Sequence, residues 1–91
     1  MTNSTLYSDL AIAPGTYIVE ILEDMRLSQA DLAQRMGRPT QFINEIIQGI
    51  EPITPETALQ LELTLQIPAL FWLNLEFQFQ QTKARQLELA H

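Results

Sequence analysis

The chain has 91 residues, 46% of them hydrophobic and 18% charged, which is room for one compact domain. It has no cysteine and a single histidine, His91 at the C-terminus, so a disulfide framework, a thiolate or zinc site, and a His-based or cysteine nucleophile are all excluded. Its net charge of −6 would by itself disfavour a partner as acidic as nucleic acid. A folded monomer of this size buries about 64% of the surface its unfolded chain exposes, enough for a small core without staples. No apolar run approaches the ~20 residues of a membrane span. Residues 1–9 hold neither a basic residue nor an apolar run, so a secretory signal is not expected. The expectation is a cytoplasmic, non-enzymatic protein with no metal, no cofactor and no membrane partner.

The charge is unevenly spread. Within residues 26–51, Arg26, Arg35 and Arg38 balance Asp31, Glu45 and Glu51, and the whole surplus of acid lies outside that stretch. Glu20, Glu23 and Asp24 read as the solvated outer face of a first helix.

Punctuation and spacing divide the chain into five helices. Pro14 and Gly15 open the first, in which Ile18, Ile21, Leu22 and Met25 fall at i, i+3, i+4 and i+7, one face of a helix. Ser28 with Asp31 three residues on resembles a capping box and starts the second. Leu32, Ala33 and Met36 form its buried stripe, and Gly37 ends it in a left-handed conformation that costs a residue with a Cβ about 1–2 kcal/mol. Ile43, Ile46, Ile47 and Ile50 repeat the helical spacing in a third, stopped by Gly49. Thr54 caps a fourth with Pro55 at its first position and Ile53 stapled against Ala58. Pro68 precedes a last segment without Gly or Pro that can run as one helix of about 20 residues. In it Leu70, Leu73 and Phe77 make a stripe expected to pack on the domain, leaving Trp72, Leu75 and Phe79 for a homodimer interface. The domain proper is expected over residues 14–79, with an N-terminal tail at 1–13 and a fraying helical end at 80–91.

The joint between the second and third helices is the most informative feature. Counting Gln29 as first, Ala33 is fifth, Gly37 ninth and Ile43 fifteenth. A helix-turn-helix needs a small residue where its helices cross, a turn residue at the ninth position and an apolar anchor at the fifteenth.

The chain resembles the Xre-type helix-turn-helix proteins, and among them the HigA-type antitoxins of plasmid-maintenance modules. The matching stretches are Pro14 and Gly15, LSQADLAQRMG at 27–37, INEIIQG at 43–49, ITPETALQL at 53–61 and FWLNL at 71–75. The resemblance implies an all-α, five-helix, lambda-repressor-like domain with an extended C-terminal helix. It further implies a dimer that binds operator DNA, represses its own operon and neutralises an mRNA-cleaving, HigB-like toxin.

Carried over residue by residue, the resemblance places Thr40, Gln41, Asn44, Glu45 and Gln48 on the groove face of the recognition helix, and Gln29, Arg35 and Arg38 at phosphates. The residue types suit these roles. Gln and Asn can bond adenine, Glu can accept from the cytosine amino group, and Thr can meet a phosphate or a thymine methyl. The sequence also departs from the family. Ile50 and Glu51 stand where many relatives carry a basic pair, and Pro39 stands at a position usually held by a Ser or Thr cap, leaving capping to Thr40 or to nothing. These departures, with the acidity, admit a second expectation: a helix-turn-helix that grips a protein partner and no longer binds DNA.

Overall fold

A computed structural model describes residues 11–89; most of the expected tail at 1–13, and the end of the chain with His91, lie outside the described residues. The elements are α1 (Gly15–Met25), α2 (Gln29–Met36), α3 (Thr40–Ile47), α4 (Pro55–Leu65) and α5 (Ala69–Leu89). Among the described residues there is no strand, and no helix is long and apolar enough to cross a membrane.

Local chemistry accounts for most of the helix ends. At the start of α2 the Asp31 N–H donates to Ser28 Oγ at 3.0 Å and the Ser28 N–H to Asp31 Oδ2 at 2.9 Å, a complete reciprocal cap. Gly37 closes α2 at φ +69, with the Arg38 N–H returning 2.9 Å to the Ala33 carbonyl. Thr54 caps α4 and Pro55 takes its first position. Two other ends carry no glycine: Arg26 at φ +58 and Gln66 at φ +63 take the left-handed conformation that ends α1 and α4.

Two helical hairpins, α2 with α3 and α4 with α5, are joined by contacts of α2 with α4, and α1 packs on α3. The core takes Ile18 and Leu22 from α1, Leu32, Ala33 and Met36 from α2, Ile43 and Ile46 from α3, Ala58, Leu61 and Leu65 from α4, and Trp72 from α5. Met25 and Ile50, the last members of two expected stripes, are exposed instead. Each lies at or beyond the turn that ends its helix, where the 3.6-residue period no longer applies.

The facing of α5 holds only at Leu73, which packs against the core as expected. Trp72 is fully buried and Phe79 8% exposed, whereas Leu70 and Phe77 are 66% and 65% exposed. Trp72 and Phe79 are therefore core residues of one chain and not a dimer surface. The triplets 70, 73, 77 and 72, 75, 79 have identical helical spacing, so periodicity cannot choose between them. Burial energy does. An aromatic side chain removes about 150–250 Å² from water, worth roughly 4–6 kcal/mol at ~25 cal/mol per Å². That exceeds the ~1–3 kcal/mol cost of the Trp72 Nε1–H, which is buried without an acceptor. Phe71 stands edge-on to Trp72, with ring centroids 5.1 Å apart, and Tyr17 of α1 stands edge-on to Phe71 at 6.1 Å.

The α4–α5 hairpin is clasped at both ends. Glu62 Oε1 accepts the N–H of Ala69, the first residue of α5, at 2.7 Å, and Glu76 Oε1 on α5 accepts the N–H of Ile53, just ahead of α4, at 3.0 Å. Where composition predicts fraying, helix continues through residues 80–89, mostly exposed, with Lys83 Nζ 4.8 Å from the centre of the Phe79 ring.

Candidate nucleic-acid interface

The placing of α3 depends on glycines at two of its contacts. A Cβ on Gly15 would collide with the Cα of Ile47, with the Ile47 carbonyl oxygen at 2.5 Å. The first turn of α1 thus lies directly against the backbone at the end of α3. Gly49, just past α3 at φ +80, leaves 3.1 Å between its absent Cβ and both Ala13 Cβ and Phe79 Cζ. The end of α3 is held by α1 on one side and α5 on the other. The Glu45 carbonyl accepts the N–H groups of both Ile50 and Glu51, at 2.9 and 3.1 Å, and fixes the turn.

α3 has two unlike faces. Ile43 and Ile46 are buried, while Thr40, Gln41 and Gln48 are exposed and Asn44 and Glu45 half-exposed. One turn apart, Gln41 Nε2 donates to Glu45 Oε2 at 3.3 Å and Gln48 Nε2 to Asn44 Oδ1 at 2.6 Å. Asn44 Nδ2 in turn donates to Oε1 of Gln29, at the start of α2, at 3.4 Å. The structure thus joins Gln29, Asn44 and Gln48 into one amide chain that ties the two helices together.

The cationic candidates differ in their surroundings. Arg35 is exposed on the last turn of α2. Arg38, in the turn, lies over the Phe42 ring at 4.2 Å, with its guanidinium 3.7 Å from Glu56 Oε1. The first turn of α3 has no side-chain cap, so Thr40 does not replace the missing one. Within that turn the Phe42 N–H returns to the Pro39 carbonyl at 3.0 Å. Sequence reasoning missed Phe42 and Glu56, which set the position of Arg38; neither carried a signal, because the contact spans the turn and reaches another helix.

The arrangement is a pair of short helices with a left-handed glycine between them, the second helix polar along one side and the first ending its side chains beside it. A family model described as helix-turn-helix matches residues 18–72. A protein from Nostoc punctiforme described as an antidote of a plasmid maintenance system is 33% identical, with a TM-score of 0.83 over 87% of either chain. An addiction-module antidote of the HigA family from Coxiella burnetii is 32% identical, with a TM-score of 0.77 over 81% of this chain and 82% of that one. The chain belongs to the helix-turn-helix family, in its HigA-type antidote branch. Membership makes it a DNA-binding transcription regulator by class and not an enzyme. A third HigA-type structure, the Pseudomonas aeruginosa antitoxin HigA with the higBA promoter, is 26% identical, with a TM-score of 0.77 over 82% of this chain and 83% of that one.

Proposed function

We propose that this protein is an antitoxin that binds operator DNA as a dimer and represses its own toxin–antitoxin operon. The observation that carries the reading is the two-faced α3, buried through Ile43 and Ile46 and polar through Gln41, Asn44, Glu45 and Gln48, beside the start of α2. Such a helix fits the major groove, about 12 Å wide, with its polar side at the base edges. Thr40, Gln41, Asn44, Glu45 and Gln48 meet bases; Gln29, Arg35 and Arg38 meet phosphates. Having lost Trp72 and Phe79 to the core, the dimer uses the exposed apolar side of the α4–α5 hairpin: Leu59, Leu63, Leu70 and Phe77, with half-buried Leu75 at its edge. A two-fold pair sets two α3 helices one helical turn, about 34 Å, apart. The remaining surface serves an mRNA-cleaving, HigB-like toxin.

A second reading is favoured by the pairing of Arg38 with Glu56 and by Glu51 beyond α3, which together leave few cations for phosphates. In it the same domain is a protein-interaction module. Fluorescence anisotropy on DNA from upstream of the gene, against a scrambled duplex across a salt series, separates the two. Binding of the upstream DNA that outlasts the scrambled duplex as salt rises, with a shallow slope, is the expected result; equal failure of both duplexes would reject the DNA reading.

A further inference from the structure

The direction of the hydrogen bonds on α3 limits which bases it can read. A carboxylate at neutral pH only accepts. Gln41 must therefore turn its NH₂ toward Glu45, as it does at 3.3 Å, and leave its carbonyl for the groove. Glu45 keeps Oε1, which makes no hydrogen bond to the protein, and adds a full negative charge at the middle of the helix. Further along, Gln48 spends one N–H on Asn44 and Asn44 spends one on Gln29, so their amide nitrogens too are partly consumed within the protein. No Lys or Arg lies within α3.

Guanine presents two acceptors, N7 and O6, in the major groove, and is read chiefly by Arg or Lys; cytosine and adenine present an exocyclic amine. A face with an anion at its centre and no cation repels the first and receives the second. From this we infer that Glu45 is a specificity-determining residue that selects cytosine or adenine at its base and excludes guanine, with Gln41 as the positioning residue that orients it. The inference rests on the DNA reading above and deepens it by naming the chemistry of the half-site: an amine donor on the strand facing Glu45.

The side chain can be changed without disturbing the fold, because the bonds that close α3 use the backbone carbonyl of Glu45. The test is in vitro selection from duplexes with a randomised core, using the full chain and its Glu45→Gln variant, whose amide both donates and accepts. The expected result is that the two selected motifs differ at one position per half-site. There the parent chain takes cytosine or adenine and disfavours guanine by about 5- to 150-fold, the range of one good base contact. In Glu45→Gln that discrimination falls to within about threefold of the other bases, well under one such contact. Gln41→Ala should weaken the preference at the same position without moving it. Identical motifs from the parent and Glu45→Gln, or guanine selected by the parent where they differ, would overturn the inference while leaving DNA binding intact. A parent pool with no motif at all would overturn the DNA reading itself, and this inference with it.

Discussion

Replacing Gly15 with alanine tests the contact that sets α3 against α1. On propensity alone the change should help, by at most about 1 kcal/mol, since Gly15 is in a helix and at an ordinary helical φ. Space decides otherwise. The new Cβ would have the Ile47 carbonyl carbon at 2.7 Å and its Cα nearer still, all backbone atoms that cannot rotate away. Carbon atoms rest about 3.5–4.0 Å apart, so α1 and the end of α3 must separate by roughly 1 Å. Overpacking of this kind costs about 1–3 kcal/mol, here at the upper end because no flexible side chain can yield. After the helical gain the net loss is about 2 kcal/mol, a fall in Tm of roughly 8–16 °C for a domain of this size. Thermal unfolding followed by circular dichroism gives the value, and Gly37→Ala provides the contrast. Gly37 has nothing within 4 Å of its absent Cβ and is held only by its φ of +69, worth about 1–2 kcal/mol. Gly15→Ala should be the more damaging of the two. A Gly15→Ala protein that melts at or above the parent, or above Gly37→Ala, would refute the packing argument.

Other perturbations follow from the same geometry. Arg26→Gly relieves a left-handed residue at the end of α1 and should raise stability by about 0.5–1 kcal/mol, read from the urea midpoint at unchanged slope. The Ser28 backbone N–H, then the Ser28 side chain, hold the Asp31 carboxyl below its ordinary range. Because the folded state lowers this pKa, the contribution of the cap is present above the ordinary value near pH 4 and disappears as pH falls through the lowered one. Asp31→Asn should therefore lose stability at pH 7, and its difference from the parent should shrink as pH falls below the ordinary carboxylate range, as compared by thermal melts. Glu56→Gln frees Arg38 from an exposed carboxylate and should tighten binding to specific and scrambled duplexes alike, by up to about 1 kcal/mol, in anisotropy titrations at low salt. No gain on either duplex would mean that Arg38 meets no phosphate.

The parts of the fold that could be read from the sequence are those set by local chemistry. Ser28 with Asp31, Gly37, and Thr54 with Pro55 act within one turn of where they stand, and each does in the structure what its residue type dictates. The helix-turn-helix register was legible for the same reason, since Ala33, Gly37 and Ile43 lie within fifteen residues of Gln29. Arg26 and Gln66 were not legible as helix ends, because nothing about either residue type favours the positive φ each adopts. The sides of α5 were illegible because two stripes of equal spacing compete, and only the volume of Trp72 against the rest of the core decides. On the interface, the stripe from Gln41 to Gln48 came from the family resemblance, but the engagement of Arg38 by Phe42 and Glu56 depends on where α4 passes.

The two carboxylates that clasp α4 to α5 have a meaning for hydrogen exchange. Amides at the start of a helix have no partner in their own helix and usually exchange with solvent readily. Ile53 and Ala69 occupy such places, yet each is bonded to a glutamate of the opposite helix. Both are shielded while the helices stay packed, so both should exchange in step with the interior amides of Ala58 and Leu61. The amides of residues 87–89, at the exposed end of α5, should exchange far sooner. The hairpin would then open as one cooperative unit, and the slowest amides of the protein would include two that sit at the edges of its loops.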